Sequence, residues 1–82
     1  MLGDVNVGAE VIAGENIVVV GILRGMAHAG AKGNKNAIIS AASIEAKQLR
    51  IADVVKEVEK DDILGGIKTY AYLNEQDVMV IE

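Results

Sequence analysis

The sequence predicts an all-β domain and, more narrowly, a short β-solenoid. Three observations lead there. Leu2-Gly3-Asp4-Val5 returns eighteen positions later as Val20-Gly21-Ile22-Leu23, and at the same offset Ala9 falls on Ala27, Ala13 on Ala31 and Asn16 on Asn34. A spacing near this length suits one solenoid coil, in which a few short strands are joined by tight bends. Seven of the nine glycines lie between Gly3 and Gly33, where they supply corners and close backbone approaches. The apolar residues are mostly Val, Ile, Leu and Ala, and the aromatics are Tyr70 and Tyr72 alone. Thin, stacked layers suit such side chains better than a bulky centre.

Residues 1–40 read as one continuous β-rich unit. Val5, Val7, Ala9 and Val11 alternate, which puts them on one face of extended backbone. Ile17 to Val20 is a short buried strand between Gly14 and Gly21. Gly14-Glu15-Asn16 and Lys32-Gly33-Asn34-Lys35-Asn36 fit corners, with glycine and asparagine turning a chain that has no proline. Residues 41–60 permit two readings. Ile44, Ile51, Val54, Val55 and Val58 allow an amphipathic helix, whereas the alternation of Leu49 with Ile51 and the Val54-Val55 pair favour strand. Lys56 to Asp62 reads as a charged, solvated loop or the loose end of that element. Ile67, Thr69, Ala71 and Leu73 alternate with polar or aromatic neighbours, Asn74 to Asp77 turns, and Val78 to Ile81 returns. This is a terminal hairpin, placed to cap a solenoid.

Composition narrows the function classes. The 82 residues suffice for one small domain, and so small a domain gains from association. The net charge of −4 disfavours a nucleic-acid partner, because phosphate neutralisation needs clustered Lys and Arg. There is no Cys, hence no thiolate metal site. The longest apolar run, Ile17 to Val20, is too short to span a bilayer, so the chain reads as soluble, without membrane insertion.

No catalytic constellation stands out. Gly25 and Gly30 have P-loop separation, but Ala31 and Lys32 occupy the positions where Lys and Ser or Thr are needed. The cradle would lack its charge and its metal ligand, and corner glycines are the better reading. His28 is the single histidine, without the further ligands a metal requires, and reads best as a partly buried, hydrogen-bonded side chain at a coil edge. Asp61-Asp62 are adjacent and would point apart in extended backbone, which fits a solvated turn and not an acid/base pair. No enzyme, metal or cofactor is expected. Glu10, set among Ala9, Val11 and Ile12, and Arg24, between Leu23 and Gly25, must point outward if their neighbours point inward. They read either as ordinary solvated charges or as part of a shallow surface that another protein can approach.

Longer motifs carry a family resemblance. Gly3-Asp4-Val5-Asn6-Val7-Gly8-Ala9-Glu10-Val11-Ile12-Ala13 with Asn16-Ile17 resembles the opening coil of the C-terminal domain of the septum-site-determining MinC family. Leu23-Arg24-Gly25-Met26-Ala27-His28-Ala29-Gly30 resembles its next coil, Gln48-Leu49-Arg50-Ile51-Ala52 a later strand, and Val78 to Glu82 the closing strand. The resemblance covers nearly all of the chain and implies a right-handed β-helix of triangular section, closed by a C-terminal strand pair, which moves residues 41–60 to strand. It implies a homodimeric cell-division inhibitor module, residues 1–82, that docks on MinD, a membrane-associated ATPase. The domain would be cytoplasmic and recruited by MinD to the inner face of the bacterial membrane, to block FtsZ assembly at wrong sites. The family's FtsZ-antagonising N-terminal domain, and a first strand with an R-S-G-Q turn, are expected to be absent from these residues. By motif, Gly8, Glu10, Arg24, Gly25 and Met26 are the expected MinD-binding residues; Ile38, Ile44 and Leu49 are dimer-interface candidates because they sit in apolar elements. Many relatives place Pro where this chain has Val7, and some place a basic residue where Met26 stands. A self-associating solenoid without MinD, and a small sugar- or nucleotide-binding β-domain, are the competing readings.

Overall fold

Alternation decides the strands. The computed structural model describes residues 2–58 and 67–82. Strands run β1 Glu10–Ile12, β2 Ile17–Leu23, β3 Met26–Ala29, β4 Ile39–Ile44, β5 Gln48–Ile51, β6 Val54–Glu57, β7 Tyr70–Leu73 and β8 Met79–Ile81. In β2 the side chains of Ile17 and Val19 turn inward while Val18 and Val20 turn out. Ile39, Ala41, Leu49, Ile51, Ala71 and Met79 are buried in the same alternating way, and with Val5, Leu23 and Ile44 they form the core. No polar or charged side chain among the described residues is buried. The core is therefore held by apolar burial, at roughly 25 cal/mol per Å² removed from water.

The expected solenoid is not what forms. The strands make two mixed four-stranded sheets, ordered β1-β3-β5-β6 and β2-β4-β7-β8. Parallel pairing is confined to the first part of the chain, where β1 pairs β3, β3 pairs β5 and β2 pairs β4. There the eighteen-residue echo marks true neighbours: Leu2 bridges Val20 and Val5 bridges Leu23. The offset does not hold, because Glu10 then pairs Met26 and Ile17 pairs Ile39. After β5 the chain doubles back, and β5–β6, β4–β7 and β7–β8 are all antiparallel. The terminal hairpin, instead of capping a coil stack, adds to the side of β4 and widens the second sheet.

Local chemistry explains the departures. Val5, Val7, Ala9 and Val11 do not share a face, because Asn6–Ala9 is a β-turn. The Ala9 N–H donates to the Asn6 carbonyl at 2.9 Å, and Gly8 has φ +90° while Val7 stays at negative φ. That is a type II turn with glycine at the position needing positive φ. Ile17 to Val20 is neither buried on both faces nor ended by Gly21; the strand continues to Leu23 across a register shift between Val19 and Ile22. There the Ile22 N–H donates to Asp4 Oδ1 at 2.8 Å.

Residues 41–57 are strand and corner. Ala52 at φ +54°, with Asp53 at negative φ, makes the two-residue turn that reverses β5 into β6. Its carbonyl accepts from His28 Nε2–H at 2.8 Å and Arg50 Nε–H at 3.2 Å, so His28 fixes a turn from a neighbouring strand. Lys56 and Glu57, expected in a loop or at the loose end of the preceding element, close β6, and Val58 is buried, while the rest of that stretch, including Asp61-Asp62, lies outside the described residues. In the terminal hairpin Asn74 Oδ1 accepts the N–H groups of Gln76 and Val78 at 2.9 and 3.0 Å.

Ile44 and Leu49 are corrected as interface candidates. Both are within 1% of full burial, so their side chains belong to the core. Truncating either to alanine would cost about 2–5 kcal/mol of stability. Ile38 is half-buried and retains some outward surface.

Val7 occupies the second position of a type II turn, where proline is favoured, is 76% exposed, and its N–H is not donated within the described residues. Val7→Pro is therefore expected to raise stability by about 0.4–1 kcal/mol in chemical denaturation, by restricting the unfolded chain.

Candidate functional site

Three chain corners lie side by side where strands of the second sheet hand over to the first. They are Asn6–Ala9, Arg24-Gly25 and the Glu45–Lys47 link between β4 and β5. Each hangs on the one before through main-chain bonds. The Arg24 and Gly25 N–H groups both donate to the Val5 carbonyl, at 2.8 and 3.0 Å; the Met26 N–H donates to the Ala9 carbonyl at 2.9 Å, and the Glu45 N–H to the Leu23 carbonyl at 2.8 Å. Gly25 permits this approach. A Cβ there would collide with the carbonyl oxygens of Ala9 and Asn6 and touch Val5 Cγ1 at 3.0 Å.

The corners enclose an open groove of about 550 Å³. Val7, Gly8, Ala9 and Glu10 line it from the first corner, Arg24, Gly25 and Met26 from the second, and Glu45, Lys47 and Gln48 from the third. Thus Gly8, Glu10, Arg24, Gly25 and Met26, singled out on motif, come together on one surface. Val7, Glu45, Lys47 and Gln48 were missed. Glu45 and Lys47 sit in a stretch whose sequence also permits a helix, and only the corner brings them beside Arg24.

The groove is lined by mostly apolar surface, with charged side chains of both signs among its lining residues. Met26 is 40% exposed and pairs in register with Glu10. The Arg24 guanidinium stands between two carboxylates, with Nη1 3.9 Å from Asp4 Oδ2 and Nε 3.9 Å from Glu45 Oε1. These contacts are too long for hydrogen bonds and, being exposed, contribute little stability. Each carboxylate is tethered through its other oxygen, Asp4 by the Ile22 N–H and Glu45 Oε2 by the Ser43 hydroxyl at 3.2 Å. Among the described residues no group of three or more His, Asp or Glu side chains is arranged to hold a metal ion.

A second surface carries several exposed apolar side chains. On the outer face of β2-β4-β7-β8, Val18 shares a row with Ser40 and Tyr70, and Tyr72 is opposite Val80. Val20 is 60% exposed, with Leu2 bridged beside it. Tyr70 and Tyr72 stack obliquely, with ring centroids 5.5 Å apart, and the Glu82 carboxylate next to Tyr72 pushes its phenol above the ordinary tyrosine value. The signal for this face was present in Ile17-Val18-Val19-Val20, which is apolar at both inward and outward positions.

The corner stack and groove belong to a recognisable sequence. Residues 1–82 match the sequence profile of the septum formation inhibitor MinC, C-terminal domain. The chain belongs to this family. A probable septum site-determining protein MinC of Geobacillus thermodenitrificans is 48% identical over 84 residues, covering 100% of this chain and 37% of that protein. One of Bacillus cytotoxicus is 49% identical over 86 residues, covering 100% and 36%. The chain therefore spans little more than a third of the length of these MinC relatives. Among solved structures, a MinC:MinD cell division protein complex from Aquifex aeolicus is similar at a TM-score of 0.86 and 39% identity, over 99% of this chain and 66% of that one.

The close approach at Gly25 gives a direct test of how this MinC C-terminal domain builds its groove. Gly25→Ala is expected to cost about 1–3 kcal/mol in chemical denaturation, because the added methyl must push two carbonyl-bearing corners apart.

Proposed function

We propose that this chain is the partner-docking and dimerising module of a MinC-type division inhibitor, and that it binds MinD through the three-corner groove. The observation that carries the reading is the convergence of Gly8, Glu10, Arg24, Gly25 and Met26, which come from two corners, on one concave surface. Likeness to a chain from a MinC:MinD complex supports the choice of partner. The groove offers an exposed methionine and valine, charges of both signs, and hydrogen-bonded backbone corners. Such a surface loses little conformational freedom on binding, which favours affinity for a partner of matching shape.

The module acts without enzymatic chemistry. Its role is placement: MinD at the inner face of the bacterial membrane recruits it from the cytoplasm, and the division inhibitor then opposes FtsZ assembly at wrong sites through parts of the protein outside this domain. Dimerisation uses the apolar outer face of β2-β4-β7-β8, centred on Val20 and Tyr70, in place of the core residues Ile44 and Leu49. Exposed apolar side chains of this size, gathered on one sheet face, are a recurrent mark of association.

Light scattering of the chain alone and with ATP-loaded MinD tests both halves. The expected result is a dimer that forms a larger complex with MinD. Val20→Asp is expected to give monomers that still bind MinD, and Glu10→Lys dimers whose MinD affinity falls roughly tenfold, the effect of removing a contact worth over 1 kcal/mol. A wild-type dimer that ignores MinD would leave only a self-associating module, and a monomer that ignores MinD would contradict the proposal outright.

A further inference from the structure

Arg24 is a half-exposed cation lining the groove, and its environment is unusual in one respect. It has two carboxylates within 4.0 Å yet no hydrogen bond from its guanidinium to any described residue. Arginine carries five N–H donors in a rigid fork, suited to bidentate capture of a carboxylate. Here that fork is approached but not engaged. The two neighbours differ in what else they do. Asp4 accepts the Ile22 N–H at 2.8 Å and so secures the irregular point of β2. Glu45 secures no backbone group; it lines the groove, and its second oxygen is held only by the Ser43 hydroxyl.

We propose that Glu45 is a built-in competitor that holds the Arg24 guanidinium in a loose self-pair, which a carboxylate side chain of the partner must displace in order to dock. The proposal rests on the reading of the groove as the MinD-binding surface, and it names the chemistry of one contact there. An incoming carboxylate meets attraction from Arg24 and repulsion from Glu45. Within the dry interface its bidentate bond to Arg24 replaces the long, solvated contact to Glu45. Glu45 thereby lowers affinity and sets a threshold: a partner lacking the anionic group has nothing with which to displace the self-pair. Discrimination by a repulsive element of this kind is a recurrent device in specific interfaces.

The test measures binding of ATP-loaded MinD to the whole chain by biolayer interferometry at low and high salt, for wild type, Glu45→Gln, Arg24→Gln and the double variant. Both positions are substantially exposed, and thermal melts confirm that the variants fold. Glu45→Gln is expected to tighten binding about two- to fivefold at low salt, the scale of one exposed charge interaction, with the gain shrinking as salt rises. Arg24→Gln is expected to weaken binding, and in its background Glu45→Gln should give no gain, because the competitor acts only through Arg24. A Glu45→Gln variant that binds equally or less well overturns the proposal. So does a gain that persists without Arg24. If Arg24→Gln alone leaves MinD binding unchanged, the groove itself is not the docking surface, and the underlying reading fails with it.

Discussion

The carbonyl of Val5 accepts two main-chain N–H groups, from Arg24 and Gly25, and the rest of the structure depends on that junction. It fastens the corner between β2 and β3 to the turn that precedes β1. The junction requires that nothing project from Gly25, since the carbonyls of Asn6 and Ala9 occupy the space a side chain would need. With the corners locked, β1 and β3 run parallel in fixed register, and their outward residues, Glu10 and Met26, end up side by side. The groove is thus a consequence of how backbone stacks on backbone. Its side chains vary the chemistry of a shape already set by glycine and hydrogen bonds.

Two sheets facing each other across an aliphatic core leave two outer faces, and these have different characters. The sheet containing β1, β3, β5 and β6 presents Glu10, Ile12, Met26, His28, Arg50 and Val55, a face that mixes charged, polar and apolar side chains. The sheet containing β2, β4 and β7 presents valines and tyrosines. An 82-residue chain has a thin margin of stability, a few to about a dozen kcal/mol. Covering an apolar face by a second copy adds burial that the small core cannot supply. On the proposed reading the labour divides accordingly, with self-association on the valine and tyrosine face and partner docking in the concavity.

Much of this was legible in residue order. The echo between Leu2 to Val5 and Val20 to Leu23 identified segments that are truly adjacent, because parallel neighbours face the same surroundings and favour the same residues. The hairpin turn at Asn74 to Asp77 carries its own signal in an asparagine that caps two N–H groups. What misled was the assumption that the echo continues. The turn at Asn6–Ala9 takes up more residues than the Arg24-Gly25 corner, so the offset slips between β1 and β3. The reversal after Ile51 rests on Ala52 at positive φ, a conformation alanine seldom adopts. It is fixed by Arg50, two residues before it, and by His28 from a strand twenty-four residues away, a long-range contact that no local pattern announces. The dimer candidates failed for a related reason. Apolar identity alone does not distinguish Ile44 and Leu49, which face in, from Val18 and Val20, which face out. For the groove, motif found Gly8, Glu10, Arg24, Gly25 and Met26, but Glu45 and Lys47 join them only through the third corner.

On the proposed reading, stacked corners create the partner-binding surface. Amide hydrogen exchange of the chain, free and saturated with ATP-loaded MinD, tests it most directly. Added protection is expected in the presence of MinD at residues 7–10, 24–26 and 45–48, with the outer face of β2 and β7 unchanged from its state without MinD. Added protection confined to Val18, Val20 and Tyr70, with the three corners exchanging as before, would contradict it.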